Sequence, residues 1–143
     1  TVVVLGGGLV GCETALHLER CGKKVTIVEM LSDVLLTVDH ARNNDLALRA
    51  LLDASKIDFR FNSKLTKVDA SGVTVEKDGV EEHIPADALI YAIGYRSEQN
   101  LENALLGKVK KVFTIGDNVV PAKIIDAVHQ GYHTIRLIEE LEN

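Results

Sequence analysis

The fold is decided near the start of the chain, by the stretch Val2-Val3-Val4-Leu5-Gly6-Gly7-Gly8-Leu9-Val10-Gly11. A short β-branched run that stops at a glycine is typical of a buried parallel strand. Apolar residues then recur at helical spacing from Leu9 to Arg20, and Cys21-Gly22 provides a helix stop. A second β-branched run follows at Val25 to Val28. The sequence therefore predicts a right-handed βαβ unit.

The glycines between the first strand and the helix fit the pattern G-x-G-x-x-G, as Gly6-Gly7-Gly8-Leu9-Val10-Gly11. Gly6 permits a tight turn, Gly8 lets the backbone approach a pyrophosphate, and Gly11 lets the helix pack closely on the strand. Free N–H groups and the helix dipole favour an anion at such a helix N-terminus. We therefore expect a dinucleotide to bind at this turn.

An acidic residue, Glu29, follows the second strand, 18 residues after Gly11. An acid at this place can accept hydrogen bonds from both adenosine ribose hydroxyls. Its charge would repel a 2′-phosphate, and residues 30 to 36, which begin with Met30, contain no Arg or Lys. The sequence thus favours NAD(H), with NADP(H) as the less favoured cofactor. The alternative for Glu29 is a solvated glutamate at a strand end.

A second helix and a third strand are predicted after the acid. Asp39 can cap a helix over His40 to Ser55, with one apolar face formed by Leu46, Ala50, Leu51 and Ala54. Apolar and polar residues then alternate, as in a strand, at Ile57, Phe59 and Phe61. The order βαβαβ is half of a doubly wound fold.

The pattern then changes to short strands separated by glycine turns. Ser71-Gly72 and Asp78-Gly79 are typical of hairpin turns, and they separate three short runs at Leu65 to Val68, Val73 to Lys77 and Val80 to Ile84. We expect an antiparallel three-stranded meander here. Beyond it we expect a buried strand, a further strand and a closing helix, at Ala88 to Ile93, Val112 to Ile115 and Ile124 to Leu141. The predicted helix face holds Ala127, Val128, Ile135 and Ile138. The fold class is therefore α/β, a three-layer Rossmann-type parallel sheet with a β-meander.

Composition narrows the class of protein. The 143 residues are 46% hydrophobic and 26% charged, with a net charge of -5, which is typical of a globular domain and weighs against nucleic acid. No apolar run approaches the roughly 20 residues that span a bilayer, so no membrane partner is expected. The two cysteines, Cys12 and Cys21, form no CxxC, which favours a reducing, cytoplasmic compartment and no metal site. No side chain stands out as catalytic, because a cofactor would carry the reaction.

The chain resembles the pyridine nucleotide–disulfide oxidoreductase superfamily of two-dinucleotide flavoproteins. The stretches that carry the resemblance are the glycine turn with Cys12-Glu13-Thr14-Ala15, Lys24 to Met30, Tyr91 to Arg96, Thr114 to Asp117, and Ile125 to Tyr132. The closest resemblance is to the C-terminal NAD(P)-binding region of 2,4-dienoyl-CoA reductase and related NADH:flavin oxidoreductases of the Old Yellow Enzyme type. The disulfide-reductase branch is excluded because there is no CxxC.

The resemblance implies a role for several residues outside the glycine turn. Ala92, Ile93 and Gly94 would lie beside bound NAD(H), and Val68 would border the adenine pocket. Glu13 would point toward the nicotinamide, although a helix-dipole acid is an equal alternative. Gly116 and Asp117 resemble the family's second FAD contact, in which the aspartate bonds the flavin ribityl chain.

Residues 1–143 do not include the first FAD-binding glycine motif of the family, which in the family comes before the NAD(H)-binding region. We therefore expect residues 1–111 to form the NAD(H)-binding domain, and residues 112–143 to be the return segment of an FAD-binding domain. The chain would then be part of a longer flavoprotein, with FAD and the catalytic domain as its missing partners and no turnover alone. Homodimerisation is left open. Two alternatives also remain, a non-catalytic dinucleotide-binding module and an S-adenosylmethionine methyltransferase.

Overall fold

The computed structural model describes residues 1–36 and 42–142, with the backbone alone for residues 42–44, 141 and 142. The chain forms two compact units, Thr1–Ile93 and Gly94–Asn143. The elements of the first are β1 (Val2–Leu5), α1 (Leu9–Arg20), β2 (Val25–Val28), α2 (Arg42–Asp53), β3 (Asp58–Arg60), β4 (Lys64–Asp69), β5 (Gly72–Lys77), β6 (Val80–Pro85) and β7 (Ala88–Tyr91). Those of the second are α3 (Asn100–Leu105), a 3-10 turn (Gly116–Asn118) and α4 (Ile124–Glu142).

A parallel four-stranded sheet lies at the centre of the first unit. Its strand order is β3-β2-β1-β7, and β1 pairs with β2 from Val2 opposite Val25 to Leu5 opposite Val28. All four residues of β2 are buried, as expected for an inner strand covered on both faces. The parallel order puts the carboxyl ends of β1, β2 and β7 at one edge of the sheet, where the glycine turn begins.

The two helices α1 and α2 cover one face of this sheet. Their buried side chains pack on the sheet in one apolar cluster that includes Cys12, Leu16, Leu48, Leu52, Val4 and Ile27. The face predicted for the second helix was wrong, because Leu46, Ala50, Leu51 and Ala54 are all exposed. The inward face carries an ion pair between Arg49 and Asp45, which interrupts its apolar pattern. The predicted cap Asp39 lies outside the described residues.

The meander covers the other face of the parallel sheet. Strands β4, β5 and β6 are antiparallel, and their buried side chains pack against β1 and β2 in a second cluster formed by Val73, Val75, Ile84, Val3, Leu5 and Val28. Asp78 and Gly79 have φ values of 53° and 78°, which is the left-handed turn that closes a two-residue hairpin. The predicted three-layer α/β architecture is confirmed.

Strand β7 is shorter and less buried than predicted. It ends at Tyr91 instead of Ile93, and both Ala88 and Tyr91 are exposed. The strand pairs with β1 on one side only and is an edge of the sheet. An edge strand has fewer neighbours to cover it, which explains the exposure.

The second unit is mainly helical, with α3, the 3-10 turn and α4 as its elements. Helix α4 matches the predicted closing helix, but its predicted face is incompletely covered within the unit, since Val128 and Ile135 are 58% and 59% exposed. The strand predicted at Val112 to Ile115 was wrong. Ile115 is extended, but no strand is assigned to this part of the described chain, because a strand needs a hydrogen-bonded neighbour.

Candidate functional site

The glycine turn between β1 and α1 is shaped by backbone packing. Gly6 has a φ of 105°, and its N–H donates to the Val28 carbonyl at 2.9 Å. A Cβ at Gly6 would overlap the carbonyl oxygen of Ala92, and a Cβ at Gly11 would overlap the carbonyl oxygen of Gly6. Helix α1 therefore starts directly against the turn and against the segment that follows β7, and no larger residue fits at these two positions.

The first turn of α1 offers unused backbone donors. Gly8 is the N-cap residue and makes no side-chain capping bond. The amides of Leu9, Val10 and Gly11 have no intrahelical acceptor, because the first N–H groups of any helix point out of its end. The positive end of the helix dipole lies at the same place. This end of the helix is therefore suited to an anionic ligand group.

The carboxylate of Glu29 lies against the glycine turn. Its Oε2 accepts the Gly7 N–H at 2.5 Å, and its Oε1 accepts the Leu31 N–H at 2.9 Å. The backbone of Glu29 is also held, since its N–H donates to the Arg60 carbonyl and its carbonyl accepts the Ser63 N–H, both at 2.9 Å. An ionised carboxylate has about four acceptor positions, so two bonds leave acceptor capacity for a ligand.

The Gly7 carbonyl is held by loop residues that were not predicted from the sequence as part of the site. The Gly7 carbonyl accepts the Leu35 N–H at 2.8 Å, and the Val34 side chain would lie 2.9 Å from a Cβ placed on Gly7. Arg49 on α2 in turn bonds Asp33 and the Val34 carbonyl. Periodicity gives no signal for these contacts, since they join a loop to one polar residue on a helix.

Cys12 lies beneath the turn and is buried. Its thiol lies 3.4 Å from the Gly7 carbonyl oxygen. Burial, and then the charge of Glu29, raise the pKa of the Cys12 thiol to about 12. Cys12 is therefore a neutral packing residue at neutral pH and not a reactive thiolate.

The remaining predicted site residues of the first unit differ in their surroundings. Ala92 is half-buried, and its N–H donates to the Leu5 carbonyl at 2.8 Å. The others are exposed, namely Val10, Glu13, Met30, Val68 and Ile93. Gly6, Gly7 and Gly11 thus lie together with Glu29 and Ala92. Val68 lies on the meander, opposite Val73.

In the second unit, Gly116 and Asp117 begin a 3-10 turn. Gly116 has a φ of 65°, and its N–H donates to Gln130 Oε1 on α4 at 2.6 Å. Asp117 is exposed, and its Oδ1 accepts the Ala122 N–H at 3.4 Å. Gly94, the first residue of this unit, is exposed with a φ of 86°. An open cavity of about 460 Å³ lies between Thr114 to Val119 and one face of α4.

A polar cluster on the meander does not form a catalytic triad. Ser71 Oγ donates to Asp69 Oδ1 at 2.6 Å and lies 3.2 Å from His83 Nε2. The serine thus lies between the acid and the histidine, whereas a triad needs the histidine in the middle. Bonds from Ser71 hold the pKa of the exposed Asp69 carboxyl far below its usual value. The cluster is consistent with a role in the hairpin turn.

Comparison with known proteins identifies the family. The model of the pyridine nucleotide-disulphide oxidoreductase family matches residues 1–131. Cinnamate reductase from Clostridium sporogenes is 38% identical over 140 residues, which cover 96% of this chain and 21% of that protein. NADH oxidase from Thermoanaerobacter brockii is 41% identical over 133 residues, or 92% of this chain and 20% of that protein. The chain belongs to the pyridine nucleotide-disulphide oxidoreductase family.

Solved structures agree with this assignment. A complex of 2-naphthoyl-CoA reductase matches 92% of this chain and 20% of its own, with a TM-score of 0.77 and 27% identity. Histamine dehydrogenase from Rhizobium sp. 4-9 matches 94% of this chain and 22% of its own, with a TM-score of 0.75 and 27% identity. The chain spans about a fifth of the length of these relatives. Among the described helices, none is long and apolar enough to cross a membrane.

Proposed function

We propose that this chain binds NADH at the glycine turn and serves as the NAD(H)-binding part of a flavin-dependent oxidoreductase. The observation that carries the proposal is the position of Glu29, whose carboxylate is bonded to the Gly7 N–H. An acid at the end of β2 would accept both ribose hydroxyls of the adenosine half. Family membership supports the use of a pyridine nucleotide.

The same carboxylate favours NADH over NADPH. A 2′-phosphate would bring a second negative charge against Glu29, at a half-buried place where charges are weakly screened. Arg49 on α2 is bonded to Asp33 and to the Val34 carbonyl, so its guanidinium already has partners. Two relatives whose names specify the cofactor, NADH oxidase and the rubredoxin-NAD(+) reductase of Ectopseudomonas oleovorans, support the same preference.

The pyrophosphate would lie over the first turn of α1, where Gly8, Leu9 and Val10 present backbone N–H groups. The absence of a Cβ at Gly8 allows close approach of the ligand. Met30 would flank the ribose and Val68 the adenine. The nicotinamide half would extend toward Glu13, Ala92 and Ile93. The side chains of Glu13, Met30, Val68 and Ile93 are exposed, which leaves them accessible to a ligand.

We propose that residues 1–111 belong to the NAD(H) domain and that residues 112–143 belong to an FAD domain. When bound, FAD would accept hydride from the nicotinamide. Asp117 fits a role at the ribityl chain because its carboxylate is exposed and only weakly engaged, by the Ala122 N–H at 3.4 Å. The Gly116 N–H does not fit as a free donor, because it is bonded to Gln130. We infer that FAD needs further protein segments to bind.

We further propose that the longer enzyme is related to 2,4-dienoyl-CoA reductase and that it is cytoplasmic. This chain would position NADH, while the electron acceptor would be chosen by other segments. A non-catalytic dinucleotide-binding module would hold the same nucleotide without passing hydride on. The two are distinguished by whether NADH reduces bound flavin when this chain is joined to an FAD-binding domain.

Calorimetric titration with NADH, NADPH and S-adenosylmethionine tests the proposal. We expect NADH to bind most tightly. A preference for NADPH would retain the site and contradict the role of Glu29 in specificity. Binding of S-adenosylmethionine alone would contradict the oxidoreductase role and support a methyltransferase. Binding of none of the three would contradict the proposal that this chain holds the nucleotide.

A further inference from the structure

Arg49 connects helix α2 to the loop of residues 30–36, which follows β2 and lies beside the glycine turn. Its Nη1 donates to Asp33 Oδ2 at 2.8 Å, and its Nη2 donates to the Val34 carbonyl at 2.7 Å. Its Nε lies 3.6 Å from Asp45 Oδ1, one helical turn earlier. The side chain is 31% exposed, so these bonds are partly shielded from water. A single guanidinium thus holds both the backbone and an acidic side chain of the loop.

The loop in turn restrains the glycine turn through contacts with Gly7. Val34 contacts the Gly7 region through its side chain, and the next residue, Leu35, donates its N–H to the Gly7 carbonyl at 2.8 Å. The Gly7 N–H is then the group that Glu29 accepts. A continuous set of bonds therefore runs from Arg49 through the loop and Gly7 to the carboxylate proposed to bind the ribose.

The loop needs such a restraint because its backbone is unfavourable at one residue. Leu35 has a φ of 63°, which lies in the left-handed region that residues with a Cβ rarely adopt. Its side chain is only 5% exposed, so burial offsets part of the cost of this conformation. The two bonds from Arg49 to the preceding residues fix the approach of the chain to Leu35.

We propose that Arg49 is a positioning residue for dinucleotide binding, acting through the loop to orient the Gly7 peptide against Glu29. This inference rests on the proposed function. The geometry also specifies arginine, because two donors on one planar group reach a carboxylate and a carbonyl together. A lysine ammonium is a compact point charge on a flexible stem and lacks the fixed pair of donors on a planar guanidinium.

The test combines three variants with two measurements. Arg49→Met removes the guanidinium and retains an unbranched side chain, Arg49→Lys retains the charge, and Arg20→Met is the control at the exposed end of α1. Calorimetry measures the NADH dissociation constant, and hydrogen exchange by NMR measures protection of the Leu35 and Gly7 amides. A residue that supports stability alone would leave the NADH affinity unchanged and would lower amide protection throughout the first unit, with no particular effect at Leu35 and Gly7.

We expect Arg49→Met to bind NADH roughly 2- to 30-fold more weakly, the range found for residues that couple to a site without contacting the ligand. Its Leu35 amide should exchange faster than in the original chain. Arg49→Lys should show an intermediate loss, and Arg20→Met should show none.

Unchanged NADH affinity and unchanged Leu35 protection in folded Arg49→Met would overturn the role of Arg49 and leave the proposed function standing. Failure of the original chain to bind NADH would instead contradict the proposed function itself. If Arg49→Met does not fold, Asp33→Asn serves in its place, because it weakens the ion pair and retains an oxygen for the Val34 N–H. The same faster exchange and weaker NADH binding are then expected.

Discussion

Replacing Glu29 with alanine removes the group on which the proposed site depends. The structure shows a carboxylate bonded to the Gly7 and Leu31 amides, with acceptor capacity left for a ligand. Glu29→Ala therefore removes the expected partner of the ribose hydroxyls and also leaves two backbone amides without their acceptor. The half-buried Gly7 amide is the costlier loss for the fold, because water reaches it less easily.

The size of the effect follows from the strength of hydrogen bonds to charged groups. Such bonds contribute about 1.5–3 kcal/mol, so NADH should bind about 10- to 150-fold more weakly. The loss for NADPH should be smaller, because the variant also removes a charge that repels the 2′-phosphate. The preference for NADH over NADPH should therefore fall.

Calorimetry with both nucleotides measures the two affinities, and thermal denaturation shows whether the variant is folded. Glu81→Ala is the matched control, since Glu81 is an exposed glutamate on β6 in the same unit. Its NADH affinity should equal that of the original chain. A folded Glu29→Ala protein with unchanged affinity for both nucleotides would show that Glu29 does not belong to the binding site.

Two further predictions concern packing at the turn and thiol chemistry. Gly11→Ala should destabilise the fold by about 3 kcal/mol or more, or prevent folding, because its Cβ would overlap the Gly6 carbonyl oxygen. Gly22→Ala has open space around it and should lose only about 1–2 kcal/mol, through its positive φ. Equal losses in urea denaturation would contradict this. Cys21 is exposed, while burial raises the pKa of Cys12 to about 12. Cys12 therefore stays protonated below pH 10, and a thiol reagent at pH 8 should label Cys21 alone until the chain is denatured. Rapid labelling of both cysteines would contradict the burial of Cys12.

The sequence was sufficient for the parts of the fold that depend on local pattern. The glycine turn, the strand before it and the helix after it follow from residue types that only one geometry accommodates, since Gly6 and Gly11 lie against backbone atoms. The meander was equally predictable, because Asp78-Gly79 closes a hairpin and fixes its register.

The predictions from sequence failed where tertiary contacts outweigh the local pattern of apolar residues. Leucines lie on more than one side of α2, and only contact with the sheet selects Leu48 and Leu52 as the buried pair. The stretch Val112 to Ile115 has strand-like residues but no pairing partner in the described chain. The contacts of Arg49 were not predictable for a related reason, since a hydrogen bond to a loop carbonyl depends on three-dimensional approach and not on spacing.

Titration of the isotopically labelled chain with NADH, followed by NMR, shows directly whether the nucleotide binds at the glycine turn. We expect amide shift changes at Gly7 to Gly11, at Glu29 to Leu31 and at Ala92 and Ile93, with the largest changes at the first turn of α1. NADPH at the same concentration should produce smaller changes. Saturable NADH binding that leaves the Gly7 to Gly11 amides unshifted would mean that the nucleotide binds elsewhere on the chain.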